Sequence, residues 1–276
     1  MGEGRARWAR HEVAVDGEVL HVESSTPVRD GDDRPPLVLC HGLGGSHAVW
    51  YQQVAHFARH RRVITWDARG FGLSTNSGGN ATVVTAAKDL RAVLDALDVQ
   101  AAHVVGQSMG GWTALGFTRA HPTRVRSLTL TNSLAGIGSE QWAAGVSKAP
   151  PPSTDTFVGE HAALGPALVR DDPAKAFLYQ QLGGTRTPPP EAMRSLLTTH
   201  VDGAVLGWMT APVLVIGSSD DTIFPVPLLV DVVGHLPVAR FEVVEGAGHS
   251  TYYERPEVWN SLVESFLADV DAEEAS

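Results

Sequence analysis

The sequence predicts an α/β protein with a mostly parallel sheet and helices on both of its faces. Short apolar runs of strand length recur along the chain, and stretches with the period of a helix lie between most of them. Strands that alternate with helices give parallel sheets. The chain has 276 residues, of which 43% are hydrophobic and 19% charged, as expected for one large globular domain or one domain with an insertion.

A predicted antiparallel hairpin opens the chain. Apolar and polar residues alternate over residues 11–23 around Asp16-Gly17, a dipeptide that favours a two-residue hairpin turn. The six other predicted strands, which bring the total to eight, are Leu37–Cys40 and residues 62–66, 103–105, 128–130, 213–216 and 241–244. A helix is predicted over residues 86–97, where apolar side chains recur with the helical period.

Residues 136–210 interrupt this alternation. Proline triplets at 150–152 and 188–190 separate helical pieces there, and a structureless loop of that length is improbable in a compact domain. We therefore expect residues 1–135 and 211–276 to form the core and residues 136–210 to form a small helical insertion. The acidic residues 269–276 are expected to be a frayed terminus.

Charge and cysteine content exclude several classes of function. With 21 basic and 31 acidic residues the net charge is −10, which disfavours nucleic acids and anionic membranes as partners. The single cysteine, Cys40, can form neither an internal disulfide nor a cysteine-rich zinc site. Residues 1–12 do not have the pattern of a secretory signal, and no apolar run predicts a spanning helix. We expect a cytoplasmic protein with a small-molecule substrate, and the sequence leaves its oligomeric state open.

A candidate nucleophile lies in residues 106–111, whose sequence is GQSMGG. Its G-x-S-x-G pattern is common by chance, but here it lies between a predicted buried strand and a predicted helix. A serine on such a sharp turn needs small neighbours, which the glycines supply. This context predicts that Ser108 is a nucleophile.

A serine hydroxyl needs a base to take its proton and an acid to orient that base. Of the twelve histidines, only His249 lies in a glycine-bordered turn after the last predicted strand, on the same rim of the sheet as Ser108. Asp220 and Asp221 follow the preceding strand, and at most one of them is expected to reach His249 while the other caps the next turn. A solvated or capping role is expected for seven others: His11, His21, His56, His60, His121, His200 and His235.

Together these residues resemble the α/β-hydrolase superfamily, and the resemblance covers about residue 13 to residue 267. The order Ser, Asp, His is the one that this superfamily uses. The resemblance implies Ser108 as nucleophile and His249 as base. It also implies Asp221, which precedes Pro225 by four residues, as the acid, and leaves Asp220 as the capping neighbour.

The same resemblance assigns roles outside the triad. Residues 41–45, HGLGG, look like the oxyanion loop, so the backbone N–H groups of Leu43 and Met109 would hold the oxyanion, each worth roughly 3 to 4 kcal/mol. Asp67 and Arg69, in a segment similar to the family's D-x-R-G-x-G-x-S, are expected to form a structural pair. Residues 136–210 fall where the family has its cap. Cap aromatics expected to line an apolar acyl pocket are Trp142, Phe157, Phe177, Tyr179 and Trp208.

The resemblance implies acyl transfer to water from a small, largely apolar ester or lactone, which requires neither a metal nor an organic cofactor. The SMGG run and the short insertion look most like enol-lactone hydrolases, non-haem haloperoxidases and C–C bond hydrolases, although Gln107 stands where C–C hydrolases commonly have Asn. Ser108 argues against haloalkane dehalogenases and epoxide hydrolases, which need a carboxylate nucleophile. A C–C bond hydrolase, a lyase or acyltransferase, and a ligand-binding protein with slow turnover remain open alternatives.

Overall fold

The computed structural model describes residues 6–26, 34–147, 159–183 and 187–274. An eight-stranded sheet lies at its centre, which confirms the predicted fold class. The strands follow the spatial order β1-β2-β4-β3-β5-β6-β7-β8. Strands β3 to β8 are parallel to one another, whereas β2 is antiparallel to both β1 and β4. Their bounds are β1 Trp8–Val15, β2 Glu18–Ser25, β3 Leu37–Cys40, β4 Val63–Trp66, β5 Ala102–Gln107, β6 Val125–Thr131, β7 Val213–Ser218 and β8 Ala239–Val244.

The predicted hairpin turn is present between β1 and β2. Asp16 and Gly17 both have positive φ, at 48° and 80°, as the favoured two-residue turn requires. Helices connect the parallel strands, and the helix predicted over residues 86–97 begins three residues earlier. The helices are α1 Tyr51–Phe57, α2 Val83–Ala96, α3 Met109–Ala120, α4 Glu140–Val146, α5 Pro166–Asp171, α6 Pro173–Gly183, α7 Pro190–Thr198, α8 Val226–Gly234, α9 Thr251–Glu254 and α10 Pro256–Glu274.

Two apolar layers cover the sheet, one on each face. Successive side chains of β3 alternate between them: Val38 belongs to the layer that includes α2, α3 and α8, and Leu39 belongs to the layer that includes α1 and α10. Because both faces are covered, every residue of β3 and β4 is buried, which explains their continuous apolar sequence. Among the residues that the structure describes, none of the helices combines the length and the apolar character needed to cross a bilayer.

In the described part of the predicted insertion, helices α4 to α7 lie between β6 and β7. The two ends of this segment meet where Ile137 and Val201 form a parallel bridge. The Val201 amide also donates a 2.8 Å hydrogen bond to the carbonyl oxygen of Gly136. The division into a core of residues 1–135 and 211–276 and an insertion of residues 136–210 stays a prediction.

The acidic end of the chain differs from expectation, because α10 continues to Glu274. Buried Val263, Phe266 and Val270 keep the helical period of this segment and hold it against the sheet. Asp271, one of the acidic residues, lies 2.9 Å from the guanidinium of Arg61. The expectation of a frayed terminus is therefore wrong for the described residues up to 274.

The expected pairing of Asp67 with Arg69 is also wrong. Arg69 instead forms a two-pronged ion pair with Asp89 of α2, with N···O distances of 2.7 and 2.8 Å and both side chains buried. Asp67 accepts hydrogen bonds from the His47 ring and from the backbone N–H of Leu73. Residues 67 and 69 lie on a turn that directs their side chains to different partners.

Candidate active site

Ser108 lies on a strained turn between β5 and α3. Its φ of 50° and ψ of −121° are unusual for a residue with a side chain, as the predicted sharp turn requires. Hydrogen bonds fix the turn on both sides: the Ser108 amide donates to the Thr131 carbonyl at 3.2 Å. The Ser108 carbonyl accepts from the Gly111 amide at 2.9 Å and from the Ser133 hydroxyl at 2.7 Å.

The glycines around Ser108 allow close backbone contacts. A Cβ on Gly106 would overlap the backbone of Gly110, and a Cβ on Gly110 would overlap the carbonyl group of Cys40. The overlapped atoms are backbone atoms, which cannot turn away as a side chain can. The Cys40 thiol lies in the same packed region, and burial raises its pKa to about 12.

Asp221 and His249 form a buried pair. His249 Nδ1 lies 2.9 Å from Asp221 Oδ2. Because a carboxylate only accepts hydrogen bonds, Nδ1 carries a proton and donates it, so Nε2 of the neutral ring is an acceptor. Asp221 Oδ1 accepts from the amides of Ile223 and Phe224 at 2.8 and 2.9 Å.

These amide contacts correct one expectation. Asp221 itself caps the following turn, whereas Asp220 Oδ1 accepts from the neighbouring Ser219 hydroxyl at 2.9 Å. The expected role of Asp220 as the capping neighbour is therefore wrong. The Asp221 carboxylate can both contact His249 and cap the turn, because Oδ2 faces His249 and Oδ1 faces the turn.

Asn132, which the sequence analysis did not single out, holds Asp221 from the other side. It follows β6 with a φ of 46°, and its Nδ2 donates to Asp221 Oδ2 at 3.0 Å. Burial opposes ionisation of Asp221, but hydrogen bonds from His249, Phe224 and Asn132 and the charge of His249 hold the pKa of Asp221 below its ordinary value. The position of Asn132 at a strand end between the Ser108 and Asp221 strands is the signal that could have identified it.

Further contacts join the three loops at the carboxyl edge of the sheet. Gln107 Nε2, next to Ser108, donates to the backbone oxygen of His249 at 3.3 Å. The ring of Phe224, three residues after Asp221, lies 5.2 Å from the His249 ring. The loops that carry Ser108, Asp221 and His249 therefore lie together, as predicted from the order of the strands.

The loop of residues 41–45 lies against the Ser108 turn. A Cβ on Gly42 would lie 3.1 Å from the Ser108 Cβ and would overlap the Gln107 side chain. His41 is buried and stabilises this loop: its Nε2 accepts from the Ala68 amide at 3.1 Å, so its protonated Nδ1 donates to the Gly42 carbonyl at 2.8 Å. His41 thus has a structural role in the loop.

The two backbone groups predicted to hold an oxyanion belong to Leu43 and Met109, which directly follow Gly42 and Ser108, the two residues of this contact. Met109 is the first residue of α3, where helix geometry leaves an amide without an intrahelical partner. The Leu43 amide directly follows Gly42 and donates no hydrogen bond to any residue within the described ranges. The assignment of these two N–H groups to an oxyanion hole stays a prediction.

Sequence comparison adds to this geometry. The family described as the alpha/beta hydrolase fold matches residues 35–256. The chain belongs to the α/β-hydrolase family. A relative, 3-oxoadipate enol-lactonase 1 of Acinetobacter baylyi, is 29% identical over 92% of this chain and 95% of its own. A 2-hydroxy-6-oxononadienedioate/2-hydroxy-6-oxononatrienedioate hydrolase of Paraburkholderia phymatum is 30% identical over 93% of this chain and 96% of its own.

A solved structure also has the fold of this α/β hydrolase. A thermophilic esterase from Thermogutta terrifontis superposes with a TM-score of 0.78 and 24% identity, over 95% of this chain and 99% of that one. The agreement extends over nearly the whole length of both chains. At this level of identity the likeness shows the common fold and nothing finer.

Two of the predicted pocket aromatics of this α/β hydrolase lie near the candidate triad. The Tyr179 hydroxyl lies 2.6 Å from the Ser250 hydroxyl, next to His249. The Trp142 ring lies 4.9 Å from Phe224, which in turn contacts His249.

Two other predicted pocket aromatics depart from expectation, because Phe177 is 42% exposed and Trp208 is 43% exposed. Helix geometry gives the reason for Phe177: it lies two residues from Tyr179 on α6, or about 200° around the helix, so both cannot face one pocket. Trp208 lies just after the short helical turn Gly203–Leu206. Its neighbour Met209 is buried in the core, which leaves Trp208 on the solvent side. Phe157 lies outside the described residues.

Glu254 joins the α/β-hydrolase core to the segment before α5, a link that sequence reasoning missed. Its Oε2 accepts from the Gly165 amide at 2.9 Å, and its Oε1 accepts from the Gly248 amide at 3.0 Å. Burial raises the pKa of this carboxyl group. Since Gly248 precedes His249, one buried side chain connects the candidate base to a residue 89 positions away from Glu254.

His161 is a second missed residue near His249. Burial and the charge of His249 lower the pKa of His161, so its ring is neutral near pH 7. Its Nδ1 accepts from the Ala163 amide at 3.1 Å, which leaves the proton on Nε2. The His161 ring also lies 5.0 Å from Tyr179. The sequence around His161 contains no motif that distinguishes it from the solvated histidines.

Proposed function

We propose that this α/β hydrolase cleaves a small, largely apolar ester or lactone through an acyl-enzyme. Ser108 is the nucleophile, His249 the base and Asp221 the acid that orients it. The observation that carries the proposal is the buried 2.9 Å hydrogen bond from His249 Nδ1 to Asp221 Oδ2, beside the strained Ser108 turn. The similarity to an enol-lactonase supports the lactone as one form of the substrate.

The reaction begins when Ser108 Oγ attacks the carbonyl carbon and its proton passes to His249 Nε2. The carbonyl oxygen becomes an oxyanion, which the N–H groups of Leu43 and Met109 stabilise. When the carbonyl re-forms, the carbon–oxygen bond breaks and the leaving oxygen takes the proton from His249. In a lactone this oxygen stays attached to the acyl group.

Water completes the cycle by attacking the acyl-enzyme. His249 takes a proton from the water, the second tetrahedral intermediate collapses, and Ser108 Oγ leaves as it takes that proton back. The ionised Asp221 stabilises the protonated His249 in both halves of the reaction. The products are a carboxylic acid and an alcohol, or one hydroxy acid from a saturated lactone.

The surroundings of His249 favour an apolar acyl group. Phe224 packs against the His249 ring, and Trp142 packs against Phe224 with a centroid distance of 4.9 Å. Aromatic side chains around a few polar groups are typical of sites for small apolar ligands. The net charge of −10 adds no general attraction for anionic substrates.

Cleavage of a carbon–carbon bond on the same triad is the second candidate. The observation in its favour is the 30% identity to a relative named as a dienedioate hydrolase. Gln107 weakens this candidate, because C–C hydrolases commonly have Asn there. Product analysis on matched esters, lactones and vinylogous 1,5-diketones separates the two candidates.

Covalent labelling with a fluorophosphonate tests the nucleophile whatever the substrate is. We expect one equivalent of label on Ser108, read from the intact mass and the modified peptide, because the probe reacts with serines activated by a base. The label is expected to be lost in His249→Ala and retained in Ser77→Ala, a matched change at an exposed serine. Labelling at another serine, or none on folded protein, would contradict the assignment.

The pH dependence of catalysis provides a separate prediction. We expect kcat/KM to fall on acidification, because only a neutral histidine can accept the Ser108 proton. Asp221 adds no second proton over this fall. Burial opposes its ionisation, but the contacts of His249, Phe224 and Asn132 keep its pKa below the ordinary value.

The logarithm of kcat/KM is therefore expected to fall with a slope of one, which initial rates on a soluble ester measure. A profile that stays flat down to about pH 5 would show that another group controls the rate. A slope of two would show that a second group, against expectation, is protonated over the same range.

A further inference from the structure

Two histidines and a glutamate converge outside the Ser108 site. His21 and Glu23 lie on β2, and His47 lies in the short helical turn after β3. Glu23 Oε1 lies 3.3 Å from His21 Nε2 and 3.8 Å from His47 Nε2. The three side chains are largely buried, with exposed fractions of 11%, 9% and 17%. The expectation of a solvated or capping role for His21 is therefore wrong.

The spacing of these atoms is that of metal ligands. One ligand atom from each residue can be chosen so that all lie within 4.8 Å of one another. Nitrogen and oxygen ligands bind zinc at about 2.0 to 2.2 Å, so two of them in a tetrahedral site lie roughly 3.3 to 3.6 Å apart. The two separations from Glu23 Oε1, 3.3 and 3.8 Å, lie close to this range.

The His47 ring is held in the orientation that a metal ligand needs. Its Nδ1 lies 2.9 Å from both carboxylate oxygens of Asp67, which is fully buried. Because Asp67 only accepts hydrogen bonds, Nδ1 carries the proton and the lone pair of Nε2 points toward Glu23. A carboxylate that orients a histidine through its other nitrogen is a usual partner of metal-binding histidines.

The two ligands on β2 already contact each other: His21 Nε2 donates to Glu23 Oε1 at 3.3 Å, so a metal ion must displace that proton when it binds. His21 and Glu23 are two residues apart on one strand, so their side chains lie on the same face of the sheet. Trp8 Nε1 donates to Glu23 Oε2 at 2.8 Å and leaves Oε1 turned toward the histidines. Asp67 also holds this strand, because its amide donates to the carbonyl oxygen of His21 at 2.9 Å.

We propose that His21, Glu23 and His47 bind a divalent transition-metal ion of the zinc class. Two imidazoles and one carboxylate suit zinc, and three protein ligands leave a fourth position for water. Arg10 competes with the ion, since its Nε donates to Glu23 Oε1 at 3.0 Å. The Arg10 side chain is 78% exposed, so it can move into water when the metal binds.

The bound ion links two distant parts of the chain. His21 and Glu23 belong to the opening hairpin, whereas His47 lies two residues after the loop of residues 41–45 that contacts the Ser108 turn. A metal at this site ties the hairpin to the segment that follows that loop. The proposal is independent of the hydrolase activity, because neither Ser108, Asp221 nor His249 is a ligand.

Zinc titration of the full chain, freed of metal beforehand, tests the site. A chromophoric chelator of known zinc affinity competes with the protein, and we expect one tight site per chain. Glu23→Gln and His21→Gln are each expected to weaken zinc binding at least about tenfold, since each removes a ligand. Arg10→Ala is expected to strengthen binding, because it removes the competing cation.

A matched control comes from a more exposed pair of histidines, His56 and His60, which lie 3.2 and 3.8 Å from different carboxylate oxygens of Glu264. His60→Gln changes the same residue type at a more exposed place and is expected to leave zinc affinity unchanged. If affinity is unchanged in both Glu23→Gln and His21→Gln, or is lost in His60→Gln, the proposal is wrong. The metal-free melting temperature of each variant establishes that it is folded.

Cobalt(II) gives a second readout that does not depend on stability. When added in place of zinc, it is expected to give visible absorption bands of a low-symmetry nitrogen and oxygen site with one equivalent bound. These bands should disappear in His21→Gln and persist in His60→Gln. A cobalt spectrum identical to that of the hexaaqua ion in the unaltered protein would overturn the proposal.

Discussion

Replacing Ser108 by alanine is expected to lower kcat by at least about three orders of magnitude on any ester that the protein hydrolyses. The substitution removes the oxygen that forms the acyl-enzyme and leaves only binding and the oxyanion donors. The residue is 8% exposed and its hydroxyl is not part of the hydrogen bonds that fix the turn, so the fold should persist. Initial rates at saturating substrate and the melting temperature together measure the effect.

Thr251→Ser provides a control near the same site, because it keeps the hydroxyl that donates to Asn132 Oδ1 at 2.7 Å. Its kcat is expected to stay within about tenfold of the original value, since the hydrogen bond can re-form. An unchanged rate in Ser108→Ala would exclude Ser108 as the nucleophile. A large loss in both variants would indicate general damage to the site.

Asp221→Asn is expected to lower kcat by about three to four orders of magnitude. The amide can donate a hydrogen bond to His249 Nδ1, which favours the tautomer with its proton on Nε2. Nε2 must be unprotonated to accept the Ser108 proton. The substitution therefore keeps the positions of the side chains but leaves Ser108 without a base. The 2.9 Å contact between Asp221 Oδ2 and His249 makes this the carboxylate whose change matters.

The adjacent aspartate offers a closely matched control. Asp220→Asn makes the same chemical change one residue earlier, where the side chain accepts a hydrogen bond from the Ser219 hydroxyl. Its kcat is expected to remain within about twofold, because surface changes of this kind have small effects. If Asp220→Asn abolishes activity and Asp221→Asn does not, the acid has been assigned to the wrong residue.

The features predicted correctly from the sequence are those that depend on local spacing. The Asp16-Gly17 turn, the β5 strand and the sharp turn at Ser108 each follow from a few neighbouring residues whose conformational preferences agree. The order of the elements then determines that the loops after β5, β7 and β8 lie on one edge of the sheet. This is why an aspartate next to His249 could be expected from the order of residues along the chain, whereas the choice of Asp221 over Asp220 came from the resemblance to the α/β-hydrolase superfamily.

Contacts that depend on long-range packing could not be predicted in this way. Arg69 forms its ion pair with Asp89 only because α2 packs against the sheet. Glu254 accepts a hydrogen bond from Gly165, which is 89 positions away in the sequence. From the sequence alone, Asp67 is as good a candidate partner for Arg69 as Asp89, because no local feature distinguishes the two aspartates. The acidic end of α10 departs from its prediction because the packing of Val270 outweighs the preference of charged residues for a terminus.

The chemistry of Cys40 has a practical consequence for experiments on this protein. It is the one cysteine in the sequence, its side chain is buried at the end of β3, and burial raises its pKa to about 12. Thiol reagents attack thiolates, so Cys40 is inert to them near neutral pH. A cysteine introduced at an exposed position such as Phe177 on α6 would therefore take up a spectroscopic label by itself. Movements of that helix could then be followed without first removing a native thiol.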